Sequence, residues 1–128
     1  MTDDPESAFR AYVRAFETLD PEAVLAFYHL PSIFIAPQGV FVASDANTLR
    51  ALMGQFTGQL RAQSYRRTEV SGLVVRALSA ELASCGGVFV RFDVDGQEIA
   101  RSGFTYTVRN SGGSWKIVAA VLHDPLAV

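Results

Sequence analysis

The sequence ELASCGGVFVRFDVDGQEIARSGFTYTVR, residues 81–109, is rich in β-branched and aromatic residues that recur every second position. A period of two is typical of β-strands, whose successive side chains point to opposite faces. The dipeptide Asp95-Gly96 divides the stretch and is typical of a two-residue hairpin turn, which favours positive φ at both positions. The stretch therefore predicts two antiparallel strands, over 81–94 and 97–109.

Two further strands flank this hairpin. The same two-residue period predicts strands over 66–77 and 115–123, and Asn110-Ser-Gly-Gly113 predicts the turn before the last one. The pair Gly86-Gly87 lies within a strand, where it predicts a bulge or a sharp bend. We therefore expect a strongly curved sheet in the second half of the chain.

The first half of the chain predicts three helices. Asp4-Pro5 and Asp20-Pro21 each place an N-cap acceptor before a proline at the first helical position. The second helix is expected to run through Tyr28 and to end before Pro31. A short hairpin, with strands over 32–36 and 40–43, precedes a third helix that is capped by Ser44 or Asp45.

Strand alternation predicts which side chains face the helices. On the strand over 97–109 the inward set is Ala100, Ser102, Phe104, Tyr106 and Val108. On the last strand it is Trp115, Ile117, Ala119, Val121 and His123. On the strand over 81–94 the expected inward set is Val88, Val90, Phe92 and Val94, which leaves Phe89, Arg91 and Asp93 outside unless the Gly-Gly pair reverses the assignment.

The composition is typical of one folded domain spanning 1–128. Hydrophobic residues make up 49% and charged residues 19%, and the net charge is −2. There is no basic stripe and no long apolar run, so we expect neither nucleic acid nor a membrane as a partner. The acidic N-terminus does not resemble a secretory signal, and we expect a cytoplasmic location.

Metal and cofactor sites are not expected. The chain has two histidines and one cysteine, Cys85, without the spacing of metal ligands. No glycine-rich phosphate loop precedes a helix. Cys85 has no activating neighbour in the sequence and is expected in the core.

Three segments together resemble the NTF2-like (SnoaL-like) superfamily. They are LDPEAVLAFY at 19–28, the strand ending APQG at 36–39, and WKIV at 115–118. The resemblance covers nearly the whole chain and implies an α+β cone, in which three N-terminal helices pack on a strongly curved mixed or antiparallel sheet. Its members include isomerases, cyclases, dehydratases and proteins of no known activity, so the resemblance alone does not assign a function.

The steroid isomerases of this superfamily need a carboxylate base, an oxyanion tyrosine and a protonated acid. Judged by its spacing to Glu22, Tyr12 matches the tyrosine. The base would precede Pro37, where this chain has Ala36, and the second acid would fall near Phe104. The resemblance therefore does not extend to a standard steroid isomerase.

Three hypotheses of function remain. The first is binding of a small, mostly apolar molecule in the cone, by residues that share the inward faces: Tyr12, Phe16, Tyr28, Ser102, Phe104, Tyr106 and Trp115. The second is a small cyclase, dehydratase or isomerase with His123 or His29 as its acid–base group, although the position of His29 favours a role as the cap of helix two. The third is a homodimeric scaffold without a ligand. A homodimer is expected in any case through the outer sheet face, where Val118 and Leu122 are apolar.

Overall fold

The computed structural model describes residues 4–125, so both ends of the predicted domain, 1–3 and 126–128, lie outside the described residues. The elements in chain order are α1 (Pro5–Phe16), α2 (Pro21–Leu25), β1 (Tyr28–Ala36), β2 (Gly39–Ala43), α3 (Ala46–Ala62), β3 (Tyr65–Ala77), β4 (Leu82–Asp93), β5 (Glu98–Ser111) and β6 (Ser114–His123). The predicted order of helices and strands is confirmed. None of the helices in this range is long and apolar enough to cross a membrane.

The three helices begin where the sequence predicts. The carboxylates of Asp4, Asp20 and Asp45 each accept a hydrogen bond from a backbone N–H in the first turn. Of the two residues considered for the third cap, Asp45 is therefore the N-cap. The predicted end of the second helix is wrong, because α2 stops at Leu25 and β1 already begins at Tyr28. Pro31 lies inside β1, in the interval from Tyr28 to Ile33 where the pairing with β6 shifts.

The six strands form one mixed sheet in the order β2-β1-β6-β5-β4-β3. Only the β1–β6 pair is parallel, and the other four pairs are antiparallel. The expected α+β architecture is confirmed. The β4–β5 connection spans four residues rather than two, and within it Gly96 alone has a left-handed φ, of 81°.

The sheet bends where β3 and β4 approach each other closely, at positions occupied by glycine. The bend lies at a β3 irregularity between Ser71 and Val74, which includes Gly72 with a φ of 64°. Gly87 of β4 faces this bend, and a Cβ there would lie 2.9 Å from the Ser71 carbonyl oxygen and 3.2 Å from the Phe104 ring. Gly87 therefore lets β3 approach and makes room for Phe104 beneath it.

The inner face of the sheet packs against α1 and α3. Phe104, Tyr106 and Val108 are buried as predicted, and so is Cys85. Phe9 of α1 stacks on Phe104, with ring centroids 5.1 Å apart, and Phe89 contacts both rings, at 4.1 Å from Phe104 and 6.1 Å from Phe9. The expected hollow is thus occupied by side chains, and the helices and sheet share one aromatic core.

Replacing Gly87 with alanine tests the close approach at the bend. We expect Gly87→Ala to lower the free energy of unfolding by about 1–3 kcal/mol, because the new methyl group would overlap backbone and ring atoms. Gly86→Ala is the matched control: its Cβ would have its nearest neighbour at an ordinary 3.6 Å, so stability should stay the same or rise slightly. Urea denaturation of both variants makes the comparison, and equal stability of the two would contradict the packing described here.

Candidate functional site

The candidate site is a small cavity between α1 and the inner face of β3 and β4. Its volume is ≈ 10 Å³, enough for about one water molecule. Its lining mixes apolar side chains with hydroxyl groups and one guanidinium: Tyr12, Val13, Phe16, Thr68, Phe89 and Arg91. Polar groups therefore border an empty space in an otherwise aromatic interior.

Arg91 lies on the inner face, opposite to the first of the two assignments that the sequence leaves open. It is 8% exposed and faces inward, and Phe89 likewise lies inside, at 3% exposure. The β4–β5 register explains this, because Phe89 pairs with Ser102 and Arg91 with Ala100, and directly opposed residues share a face. The alternative assignment, with Phe89 and Arg91 inside, is therefore the right one.

A signal for this orientation was present in the sequence. A two-residue turn at Asp95-Gly96 pairs Gly87 with Phe104 and Arg91 with Ala100, which is also the register in the structure. Since Phe104 and Ala100 were already expected inside, their partners had to be inside too. Phe89 and Arg91 therefore face inward without any irregularity at Gly86-Gly87.

Three buried tyrosines lie next to the cavity. The hydroxyl groups of Tyr12 and Tyr28 are 2.7 Å apart and share a hydrogen bond, and Tyr106 packs against Tyr12. Burial raises the pKa of Tyr12, Tyr28 and Tyr106 well above the ordinary value of 10. The three phenols therefore keep their protons at neutral pH and can act as hydrogen-bond donors.

The other predicted ligand-binding residues have varied positions. Phe16 lines the cavity with Tyr12, whereas Phe104 and Tyr106 belong to the aromatic core. The Ser102 hydroxyl donates to the Gly103 carbonyl oxygen at 3.1 Å. Trp115 packs beside α1, where the surrounding side chains leave no room for a water molecule. Of the predicted set, the structure brings only Tyr12 and Phe16 to the cavity.

The predicted inward orientation of His123 is wrong. β6 pairs Ile117 with Val108 but Ala119 with Thr107, so Val118 has no partner on β5 and the alternation reverses there. Ala120 and Leu122 consequently face inward, and Ala119, Val121 and His123 face outward. The imidazole Nε2 lies 2.9 Å from the Thr105 hydroxyl, and Nδ1 donates to the Asp124 carbonyl oxygen.

His29 also lies away from the cavity. It follows Tyr28, which faces inward, and its own ring lies on the outer face beside Arg109. Its Nδ1 donates to the Pro31 carbonyl oxygen at 3.0 Å, and its Nε2 accepts from the Arg109 guanidinium at 3.0 Å. Neither of the two predicted acid–base residues therefore contacts the cavity.

The described residues contain no cluster of three or more His, Cys, Asp or Glu side chains that could hold a metal ion. Cys85 lies in the core, where burial raises the pKa of its thiol to about 11. A protonated, buried thiol is a poor nucleophile. The polar groups that line the cavity are the Tyr12 phenol, the Thr68 hydroxyl and the Arg91 guanidinium, all of which can donate hydrogen bonds.

Alkaline titration tests the burial of the phenols. Their pKa values are higher in the folded chain than the value of about 10 in the unfolded chain, so the contribution of these phenols to stability should be constant below pH 10 and should fall as pH rises beyond it. Absorbance at 295 nm should show most tyrosinate appearing only when circular dichroism reports unfolding. Urea-unfolded protein, titrating near pH 10, is the control. Ionisation of three phenols near pH 10 with intact circular dichroism would contradict the model of the site.

Comparison with proteins of known structure agrees with this architecture. A candidate calcium/calmodulin-dependent protein kinase type II association domain from Thiobacillus denitrificans superposes with a TM-score of 0.76 at 17% identity, covering 99% of this chain and 98% of that one. A cystatin-like domain of unknown function from Nostoc punctiforme gives 0.74 at 21% identity, with 100% and 82% covered. An NTF2-like protein from Novosphingobium aromaticivorans gives 0.72 at 19% identity, with 91% and 77% covered.

These identities are low, so the likeness shows the fold alone. No curated protein matches the chain at a significant level. A family described as NTF2-like protein (DUF6841) matches residues 3–125, which is nearly the whole sequence. The chain therefore belongs to this NTF2-like family, as its sequence resemblance and its helix-covered curved sheet both indicate.

Proposed function

We propose that this protein binds a small, mostly apolar molecule in the cavity between α1 and the sheet. The observation that carries the proposal is the lining of this cavity, in which the rings of Phe16 and Phe89 adjoin the polar groups of Tyr12, Thr68 and Arg91. Small-molecule sites typically combine an apolar wall with a few convergent polar groups. The aromatic wall would hold the body of the ligand, and the polar groups would orient it.

Binding requires some rings to move, because a volume of ≈ 10 Å³ admits only about a water molecule. Phe16 is the side chain best placed to move. It lines the cavity and also contacts Phe56 of α3, with ring centroids 5.5 Å apart, so its rotation would open the space toward the α1–α3 contact. The ligand's affinity would then include the cost of displacing this ring.

A thermal-shift screen tests this proposal. Small aromatic compounds should raise the melting temperature, by about 10 °C at one hundred times the dissociation constant. Phe16→Leu should increase the shift produced by the same compound, because less ring volume has to be displaced. Phe34→Leu, at a ring that packs on Tyr28 and does not line the cavity, is the matched control and should leave the shift unchanged. The absence of any shift, in wild type and in Phe16→Leu, would refute the proposal.

Catalysis by His123 or His29 is not the function that we propose. Both imidazoles lie on the outer face and bond to backbone carbonyls, so neither can reach a molecule held against Tyr12. Of the described side chains that line the cavity, none is a carboxylate or an imidazole. A proton-transfer reaction of the cyclase or isomerase kind has no base at this position.

A second proposal concerns assembly: the protein forms a homodimer through the outer face of the sheet. Two rows of uncharged, mainly apolar side chains cross four adjacent strands there. The first row is Val42, Ile33, Ala119 and Thr107, and the second is Val40, Ile35, Val121 and Thr105. We call these eight residues the outer apolar rows. Val40 and Val42 are 62% and 58% exposed, and exposed apolar patches on a protein surface are often interaction sites.

The patch is large enough to form the centre of an interface with a second copy of the chain. At about 4.8 Å between strands and about 7 Å between rows, the rows cover roughly 250 Å². That area is sufficient for the apolar centre of a standard interface of about 800 Å² per partner, whose rim is polar. The kinase association domain of the same fold is, by its name, an assembling module, which supports the proposal by analogy.

Val121→Arg tests the dimer. Val121 lies in the outer apolar rows, and a charge there should convert the dimer to a monomer, as measured by sedimentation velocity. Val94→Arg is the matched control, because Val94 is equally apolar but lies in the β4–β5 connection and is 60% exposed. Leu122, which was considered on the sequence alone, faces inward and is unsuitable. A monomeric wild-type protein would refute this proposal.

A further inference from the structure

Arg91 carries a buried charge without an acidic partner. Its Nε has no hydrogen-bond partner, and none of the ion pairs found among residues 4–125 involves its guanidinium. An arginine stays charged at any physiological pH, and burying an unpaired charge is costly. The rings of Phe56 and Phe89 lie 5.6 and 5.3 Å from its Cζ, and such cation–π contacts compensate for only part of the lost hydration.

The fold holds this guanidinium at the cavity. Arg91 is paired on one side with Thr68 of β3 and on the other with Ala100 of β5, so its backbone is held by strands on both sides. The β4–β5 register shifts directly after it, between Arg91 and Phe92. The small Ala100 opposite leaves room on the inner face. The charge is therefore fixed beside the cavity by three strands.

The other polar groups of the cavity are also suited to donate hydrogen bonds. Either hydroxyl of the Tyr12–Tyr28 pair can be the donor, so when Tyr28 donates to Tyr12, the Tyr12 hydrogen can be directed to a new acceptor. The Thr68 hydroxyl lies 2.6 Å from the Tyr65 hydroxyl. Glu17, an acid that contacts the same strand, accepts a hydrogen bond from the Thr68 backbone N–H at 2.9 Å and forms no ion pair with Arg91. The cavity thus concentrates donors and one positive charge.

We infer that the ligand carries a carboxylate, which Arg91 binds together with the Tyr12 hydroxyl, while the apolar body of the ligand lies against Phe16 and Phe89. This inference rests on the proposed function and specifies its ligand class. A guanidinium can donate two parallel hydrogen bonds to one carboxylate, and such charge-assisted pairs are among the strongest in proteins. The carboxylate would supply the anionic partner that the chain itself does not provide.

Two probes of nearly the same shape, one anionic and one neutral, test the inference: 2-naphthoate and 2-naphthamide at pH 7, measured by calorimetry on the full chain. Wild type should bind naphthoate at least ten times more tightly than naphthamide. Arg91→Met should abolish this preference. Arg101→Met is the matched control, because Arg101 is exposed on the outer face and paired with Glu98; it should keep the preference.

A second readout separates ligand binding from a structural role of Arg91. Without ligand, Arg91→Met should melt at the wild-type temperature or above, because it removes a buried charge that has no partner. Should Arg91→Met not fold, Arg91→Lys replaces it. The preference for naphthoate over naphthamide should then fall, since an ammonium cannot make the paired contact, but it should persist because the positive charge remains.

The outcomes distinguish this inference from the proposed function. Equal binding of the two probes to wild type, or binding of apolar compounds but not of naphthoate, would overturn the carboxylate inference alone. A preference for naphthoate that survives in Arg91→Met would overturn it as well. No binding of any apolar compound would refute the proposed function itself.

Discussion

The first helix is held to the sheet by Phe9, whose ring packs on Phe104 and on Phe89, while these two rings also stack on each other. Each of these rings is almost fully removed from water, which contributes about 2–3 kcal/mol per side chain, and their stacking adds to this. Phe104 can sit beneath the sheet only because Gly87 has no side chain. The bend, the position of α1 and the small size of the cavity therefore have a common origin.

Most of the architecture could be predicted from local signals. The Asp-Pro pairs set the helix starts, and the two-residue period set the strands, because both effects act between near neighbours. The end of α2 could not be predicted this way. Pro31 normally stops a helix, but here the chain had already turned into β1, where pairing with β6 overrides the local preference.

The candidate site was predicted less completely. Tyr12 and Phe16 were identified because they lie on the apolar face of a predicted helix. Arg91 was missed because each strand was assigned separately, although the hairpin register linked it to Ala100. His123 was misplaced for a different reason: β6 is apolar on both faces, so nothing in its composition reveals that Val118 is an extra residue. The orientation of these side chains depends on the pairing between strands, which the pattern within one strand does not reveal.

The unpaired Val118 also affects how related chains can be compared. Up to Ile117 the odd-numbered residues of β6 face the core, and from Ala120 onward the even-numbered ones do. Matching two distant sequences by hydrophobic pattern alone would therefore align the final six residues of this strand one place out of step. Any family-wide inventory of which groups line the cone has to be anchored on three-dimensional superposition for this segment, or it would count outward-facing histidines as cavity residues.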